Sequence, residues 1–266
     1  MNDELQITRL GWAGIQLECD GHSLVIDLFE TRDAMAPFID EVTGPLPPPS
    51  GPIDLALVTH LHADHTDARA IGSALKPDGL VLRPAPAPGD DLDRAATVMA
   101  EAGLASLEAE VRVVGNWQTQ KAGPFAVTPV PATDGFGDPQ VSWVVEAGGR
   151  RIFHGGDTVF HGAWWPIASK FKPFDAVFLP VNGAICNFPH RQPPSPFPAS
   201  LTPEGAAVAA SILGTSLAVP IHFDGIHVEG LYEQGEDPGP SFVTAAAERE
   251  IDATILEPGQ PIRWAA

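Results

Sequence analysis

A cluster of histidines and aspartates follows an apolar segment near residue 58. Three histidines and two aspartates lie between His60 and Asp67, and the apolar run 55–58 before them is typical of a buried strand. Neutral imidazole and ionised carboxylate groups are ligands that divalent metal ions accept, whereas packing alone gives a strand no reason to end in them. The pattern therefore predicts a metal site at a strand end. The candidate ligands in this segment are His60, His62, Asp64 and His65.

Polar residues of the same kinds follow three other apolar segments. Asp134, Asp157 and His222 each come at or soon after the predicted end of a strand. Strand ends on one edge of a sheet can converge in space, so ligands from distant parts of the chain can meet in one site. The alternative for the two aspartates is a turn residue, and the alternative for His222 is a hydrogen-bonded histidine at a strand end.

The elements that must position these residues come as hairpins and as strand–helix alternations. Apolar runs predict strands at 6–10, 15–19, 23–26, 55–58, 80–83, 111–114, 125–130, 141–146, 151–154, 176–180, 217–221, 254–256 and 261–264. Helices are expected at 67–75, at 91–102 with Gly103 as a stop, from 202–204 to Gly214, and at 241–250. Because prolines fix φ and remove backbone donors, 187–200 is expected to form a non-repetitive lobe.

The length allows one large domain or two small ones, and because no linker or short-period repeat is evident we expect a single α/β domain over residues 1–266. A formal net charge of −19, from 15 basic and 34 acidic residues, would repel nucleic acids and anionic membranes. No apolar run is long enough to span a bilayer, the first residues show no signal peptide, and two cysteines cannot build a disulfide framework. We therefore expect a cytoplasmic protein with a small-molecule substrate and no nucleic-acid partner, and the sequence leaves homo-oligomerisation open.

The motifs resemble those of the metallo-β-lactamase superfamily, and they come in that family's order. The resemblance is carried by His60-x-His62-x-Asp64-His65, Gly155-Gly156-Asp157-Thr158, Pro220-Ile221-His222-Phe223-Asp224 and the opening Thr8-Arg9-Leu10-Gly11-Trp12-Ala13-Gly14. Two further motifs, Leu179-Pro180-Val181-Asn182-Gly183 and Thr202-Pro203-Glu204, look like the branch that includes ascorbate-6-phosphate lactonase and N-acyl-phosphatidylethanolamine phospholipase D. The resemblance implies a four-layer αββα sandwich with the site at one edge of the paired sheets.

The same resemblance implies a site for two divalent metal ions. Its ligands would be His60 and His62 for the first ion, Asp64, His65 and His222 for the second, and Asp157 for both. Asp64 and Asp157 are then the predicted catalytic residues, and Asp64 could also accept and return a proton. Asp27 and Asp67 are expected to orient ligand histidines through hydrogen bonds.

This chain departs from the family's ligand pattern at one position. The family usually supplies a third histidine to the first ion, after the strand that here ends in Pro131-Ala132. No histidine lies between His65 and His154, and Asp134 is the best replacement. Two imidazoles and a carboxylate suit Mn²⁺ or Fe²⁺ as well as Zn²⁺. Because the added carboxylate offsets cationic charge, we expect a weaker Lewis acid and a less acidic bound water than with three histidines.

The resemblance finally implies a metal-dependent hydrolase that uses a metal-bound hydroxide on a small ester or lactone, or on a phosphodiester. The expected cofactors are two divalent ions, zinc or manganese, with iron permitted. His190 and Arg191, in the proline-rich lobe, are candidates for substrate contacts. Two alternatives stay open. One is an iron-dependent, dioxygenase-like oxidoreductase of the same fold, and the other is a non-catalytic metal-binding relative.

Overall fold

Two mixed β-sheets form the centre of the computed structural model, which describes residues 4–32, 35, 42–90 and 94–264. The strands are β1 (Leu5–Gly11), β2 (Gly14–Cys19), β3 (His22–Ile26), β4 (Ile53–Leu57), β5 (Leu75–Arg83), β6 (Glu110–Val113), β7 (Gln120–Ala122), β8 (Phe125–Pro131), β9 (Val141–Ala147), β10 (Arg150–His154), β11 (Ala176–Pro180), β12 (Ile185–Cys186), β13 (Ala218–Ile221), β14 (Tyr232–Glu233) and β15 (Pro261–Trp264). The helices are α1 (Ala68–Ala74), α2 (Val98–Ala105), α3 (Trp164–Phe171), α4 (Pro203–Leu213) and α5 (Pro238–Ala247).

Each sheet has an antiparallel part and a parallel part. The first sheet has the strand order β15-β1-β2-β3-β4-β5-β6, antiparallel from β15 to β3 and parallel from β3 to β6. The second has the order β13-β11-β10-β9-β8-β7, antiparallel from β7 to β10 and parallel from β10 to β13. Because β8, β10, β11 and β13 therefore run in the same direction, their carboxyl ends lie at one edge of the second sheet. The short strands β12 and β14 pair separately.

Side chains alternate between the two faces of each sheet, as the two-residue period of a strand requires. In β9, Trp143 and Val145 belong to the core between the sheets, whereas Val144 packs in the cluster with α3, α4 and α5. In β3, Leu24 lies in the core between the sheets, whereas Val25 packs in the cluster with α1 and α2. Helices thus cover both outer faces, and the predicted αββα sandwich is confirmed.

Two helices differ from the sequence prediction. The helix expected over 91–102 begins later, as α2 (Val98–Ala105), and residues 91–93 lie outside the described residues. Gly103 lies inside this helix and does not end it. A Cβ at Gly103 would lie 2.8 Å from the Cβ of Ala68, so the glycine permits close approach of α2 to α1. The last helix, α5, begins at Pro238 and ends at Ala247, a few residues before the predicted 241–250.

Helix α3 was not predicted, and one predicted strand is absent. Trp164, Ile167, Ala168 and Phe171 are buried on one face of α3, at the spacing of an amphipathic helix. Adjacent tryptophans obscured this pattern because Trp165, beside Trp164, is exposed. Within the described residues, 254–256 form no strand, and the neighbouring Ala253 makes an isolated bridge to Ala218.

Candidate metal centre

The predicted ligands meet at the edge of the sandwich where β4, β8, β10 and β13 end. The segment 60–65 follows β4, Asp134 follows β8, Asp157 follows β10, and His222 follows β13. Backbone hydrogen bonds join the two sheets at this edge: Val141 N donates to Thr59 O and His222 N to Trp12 O, both at 2.9 Å. The contact between the sheets therefore gathers residues that are far apart in the sequence.

One group of candidate ligands consists of His60, His62, Asp134 and Asp157. Each residue offers one nitrogen or oxygen atom, and these atoms all lie within 4.8 Å of one another. His60 Nε2 lies 3.6 Å from Asp157 Oδ2, and His62 Nδ1 lies 4.0 Å from Asp134 Oδ1. The side chain of His62 is 12% exposed, while the other three residues are buried. Two imidazoles and two carboxylates could surround one cation in this arrangement.

A second group consists of Asp64, His65 and His222, whose ligand atoms also lie within 4.8 Å of one another. Asp64 Oδ2 lies 3.4 Å from His65 Nε2 and 3.5 Å from His222 Nε2. The same oxygen accepts a hydrogen bond from Trp12 Nε1 at 2.9 Å, and the Trp12 ring lies 4.2 Å from that of His222. Trp12 therefore fixes the orientation of this carboxylate. Asp157 falls in the first group, and its bridging of two ions stays a prediction.

Six nitrogen and oxygen atoms of these candidate ligands are buried without hydrogen-bond partners. They are His60 Nε2, His65 Nε2, Asp134 Oδ1, Asp157 Oδ1, and both ring nitrogens of His222. Buried polar atoms are nearly always paired in proteins, so a set of unpaired ones that face each other calls for a missing partner. A divalent cation in each group would satisfy them, and the residues therefore fit the two ions that the sequence predicts.

Hydrogen bonds fix the histidine tautomers so that a bare nitrogen faces each group. A carboxylate only accepts, so His65 Nδ1 donates to Asp27 Oδ2 at 2.7 Å, and in the neutral ring Nε2 is the nitrogen without a proton. Thr59 Oγ1 donates to Asp27 at 2.7 Å and therefore accepts from His60 Nδ1 at 3.1 Å. Asp27 is fully buried and orients His65, as expected.

Asp67, in contrast, does not orient a ligand histidine. Its Oδ1 accepts from Ala70 N at 3.0 Å and caps the start of α1, while its Oδ2 accepts from the backbone amides of Glu30 and Thr31. The sequence prediction for Asp67 was wrong because an aspartate just before a helix accepts hydrogen bonds from the unpaired backbone amides of the first turn.

The orienting residue that the sequence reading missed is Asp138. Its Oδ2 accepts from His62 Nε2 at 2.9 Å and from an Arg191 guanidinium nitrogen at 3.0 Å. Asp134 Oδ2 in turn accepts from Phe136 N at 2.8 Å and Asp138 N at 2.9 Å, which leaves Asp134 Oδ1 for the site. The signal was present in the Asp-Gly-Phe-Gly-Asp spacing, since a tight turn carries both carboxylates toward one histidine.

The surroundings of His62 and Asp157 favour their protonated forms, at positions where a cation would bind. Burial alone would lower the pKa of His62, but the Asp134 carboxylate and the hydrogen bond to Asp138 outweigh it and raise that pKa to about 9. Burial raises the pKa of Asp157 to about 7. Metal ligands bind in their deprotonated forms, so cation binding at the first group would release protons and strengthen as the pH rises.

A pocket that is partly open to solvent exposes residues of both groups. His62, Asp64, Asp157 and His222 line its floor. Phe136, Phe188, Ile226 and Tyr232 form apolar walls, and the two residues predicted to contact substrate, His190 and Arg191, also line it. The pocket is therefore bounded by both the ligand groups and the proline-rich lobe.

Comparisons with known proteins agree with this geometry. A family model described as the β-lactamase superfamily domain matches residues 28–223, which span the ligand groups. The chain belongs to the metallo-β-lactamase superfamily. The lactonase and phospholipase branch within it stays a prediction. None of the helices in the described residues has the length and apolar character that crossing a bilayer requires.

Individual relatives share this superfamily's fold along the whole chain. A UPF0173 metal-dependent hydrolase of Thermus thermophilus is 26% identical, and the match covers 97% of this chain and 99% of the relative. The structure of Igni18, a metallo hydrolase from Ignicoccus hospitalis, has a TM-score of 0.68 at 17% identity and covers 98% of each chain. CmlA, a diiron β-hydroxylase from Streptomyces venezuelae, also has a TM-score of 0.68, at 14% identity, over 100% of this chain and 55% of CmlA. Hydrolases and a hydroxylase share the fold, so the fold alone does not decide the reaction.

Proposed function

We propose that the chain is a metal-dependent hydrolase that holds two divalent cations, zinc or manganese, in its two ligand groups. The observation that carries this proposal is the set of buried ligand atoms without hydrogen-bond partners. Similarity to the UPF0173 metal-dependent hydrolases over nearly the whole chain supports the same reaction class. Because the ligands come from both sheets, we also propose that residues 1–266 act as one domain.

When bound, the ions would polarise a substrate oxygen and lower the pKa of a nearby water molecule. The residues of the chain would hold the substrate and move the proton. Asp64 lines the pocket in an orientation fixed by Trp12, so its carboxylate is placed to accept and return a proton. Asp157 also lines the pocket, and its Oδ2 lies 3.6 Å from His60 Nε2, so this carboxylate would help to hold the ions.

The substrate proposed first is a small, uncharged ester or lactone, and a phosphodiester comes second. The walls are apolar, which suits an acyl group. Among the described residues that line the pocket, Arg191 carries a fixed positive charge, but it already contacts Asp138 at 3.0 Å. A polyphosphate would therefore meet few unpaired cations, and the net charge of −19 would repel it further.

The second candidate function is an iron-dependent oxidoreductase of the same fold. The observation that favours it is the set of His60, His62 and Asp134, because two histidines and one carboxylate are a common ligand set for non-haem iron. The likeness to the diiron hydroxylase CmlA makes such a reaction compatible with the fold.

The test is to load metal-free protein with zinc, manganese or iron and to measure bound metal by mass spectrometry. Hydrolysis of esters, lactones and phosphodiesters is assayed in parallel with oxygen uptake. We expect two ions per chain and hydrolysis that a chelator abolishes. Asp157→Asn should lose activity, while Asp175→Asn, which changes a carboxylate that pairs with Arg150, should retain it. Oxygen uptake with iron would favour the oxidoreductase, and two bound ions without any turnover would favour a non-catalytic relative.

A further inference from the structure

Tyr232 is the only tyrosine in the chain, and the fold places it in the wall of the candidate active-site pocket. It lies in β14, which pairs with β12 so that Tyr232 is opposite Cys186. Backbone bonds in both directions between Tyr232 and Val228, at 2.8 Å, hold this strand in place. Tyr232 is 8% exposed, and it lines the same pocket as members of both ligand groups.

A short chain of hydrogen bonds ends at this phenol and sets its direction. The Ser200 hydroxyl donates to Asn182 Oδ1, and Asn182 Nδ2 donates to the Tyr232 oxygen at 2.8 Å. Asn182 is fully buried, and its backbone oxygen accepts from Gly235 N, so the amide that orients the phenol is itself fixed. A buried polar chain of this kind is retained where its last group has a specific partner.

The Tyr232 hydroxyl can still donate a hydrogen bond through its own proton. The Tyr232 oxygen already accepts from Asn182, and among the described residues no acceptor is seen for its proton. Ser200 and Tyr232 both line the pocket, together with Asp64 and Asp157. Burial raises the pKa of Tyr232 well above its ordinary value, and the nearby Cys186 and Asp64 raise it further, so the phenol keeps its proton over the working pH range.

We propose that Tyr232 is a hydrogen-bond donor to the substrate, and that it binds the oxygen on which negative charge develops during hydrolysis. This inference rests on the proposed hydrolase function. The ligand class is a carbonyl or tetrahedral oxyanion attached to an apolar group, which would contact Phe136 and Phe188 in the same pocket. The donor is aimed before the substrate arrives, because Ser200 and Asn182 already hold the phenol oxygen.

The test uses phenylphosphonate, a tetrahedral oxyanion with an aromatic group, and zinc-loaded full-length protein. Protein labelled with tyrosine that carries ¹³C at the phenol carbon gives one resonance, since the chain has one tyrosine. We expect this resonance to shift when phenylphosphonate binds. Tyr232→Phe should weaken phenylphosphonate binding roughly 10- to 100-fold and lower kcat more than it raises KM, with unchanged metal content. Thr244→Val, which removes an exposed hydroxyl on α5 with little change of shape, should do neither.

Two results would overturn the assignment of Tyr232. One is a ¹³C resonance that does not respond to phenylphosphonate, including the case in which wild type does not bind it. The other is a Tyr232→Phe protein that binds it within twofold of wild type. The binding measurement needs no turnover, so it separates this inference from the proposed reaction. Binding that depends on Tyr232 in a protein without hydrolytic activity would support the donor and reject the hydrolase.

Discussion

His62 Nε2 lies 2.9 Å from Asp138 Oδ2, and this hydrogen bond links a candidate metal ligand to the proline-rich lobe through Arg191. In the neutral ring of His62 the carboxylate holds the proton on Nε2, which leaves Nδ1 without a proton on the side of Asp134. The lobe therefore contributes to the ligand group as well as to the pocket wall.

We predict that Asp138→Asn weakens metal binding at the first group about 10- to 100-fold. An amide oxygen can still accept from His62 and Arg191, but it lacks the negative charge that strengthens both hydrogen bonds. The measurement is competition with a chromophoric chelator for zinc. Asp175→Asn serves as the matched control, because that carboxylate also pairs with an arginine, Arg150, outside the pocket. Equal zinc affinity of Asp138→Asn and wild type would show that Asp138 does not support the site.

Replacing Asp134 by histidine should move the acid limb of the pH–rate profile to lower pH. The change removes one negative charge beside the ions, and a more positive site lowers the pKa of nearby water. The control is Asp78→His, which makes the same change at an exposed position in β5. An unchanged acid limb in Asp134→His would contradict the prediction that Asp134 reduces the positive charge of the site.

Loss of Asp27 should destabilise the metal-free protein by about 3–5 kcal/mol, because removing one member of a buried charged pair leaves the other unpaired. Asp27→Ala would leave three donors without an acceptor, because this carboxylate accepts from His65 Nδ1, Thr59 N and the Thr59 hydroxyl. Urea unfolding gives the free energy of unfolding. Asp54→Ala removes a carboxylate that pairs with Lys76 near the surface and should cost at most about 1 kcal/mol. Comparable losses in the two variants would argue against a special role for Asp27.

A methyl group at Gly135 should disrupt the contact between the turn 134–138 and the proline-rich lobe. A Cβ there would lie 2.2 Å from the backbone oxygen of Ala199, which cannot retreat without moving the lobe. We expect Gly135→Ala to lose about 1–3 kcal/mol of stability and to weaken zinc binding. Gly51→Ala adds the same methyl group in open space and should leave both unchanged. Thermal unfolding and the zinc competition assay report the two effects.

His161 should make the protein less stable as the pH falls from about 6.5 to about 4. Burial lowers the pKa of this histidine to about 4, and its Nδ1 accepts from Ala163 N at 3.1 Å. Between about pH 4 and pH 6.5 the unfolded chain therefore binds a proton at His161 that the folded chain does not bind. The free energy of unfolding accordingly rises with pH over this range. Urea unfolding at pH 7 and pH 4.5 should show a smaller difference for His161→Asn than for wild type. The same pH dependence in both proteins would remove His161 as a cause.

The sequence by itself determined most of the strands and the contiguous histidine–aspartate motif, whereas the sandwich fold and the more distant candidate ligands followed from the resemblance of its motifs to a known family. Hydrophobic alternation is a local property of each strand, and His60-x-His62-x-Asp64-His65 is a contiguous pattern, so both can be read without knowing what packs against them. Helix α4 was predicted for the same reason, since Thr202 caps its first turn and Gly214 ends it with φ of +64°.

The tertiary structure decided which polar residues serve which neighbours. Asp27 and Asp67 had the same role in the sequence prediction, but only Asp27 contacts a candidate ligand histidine, His65, while Asp67 caps α1. Asp138 and Tyr232 have hydrogen-bond partners that are distant in sequence, Arg191 in one case and Asn182 in the other. Hydrogen-bond direction and burial depend on non-local packing, which the spacing of residues along one chain does not encode.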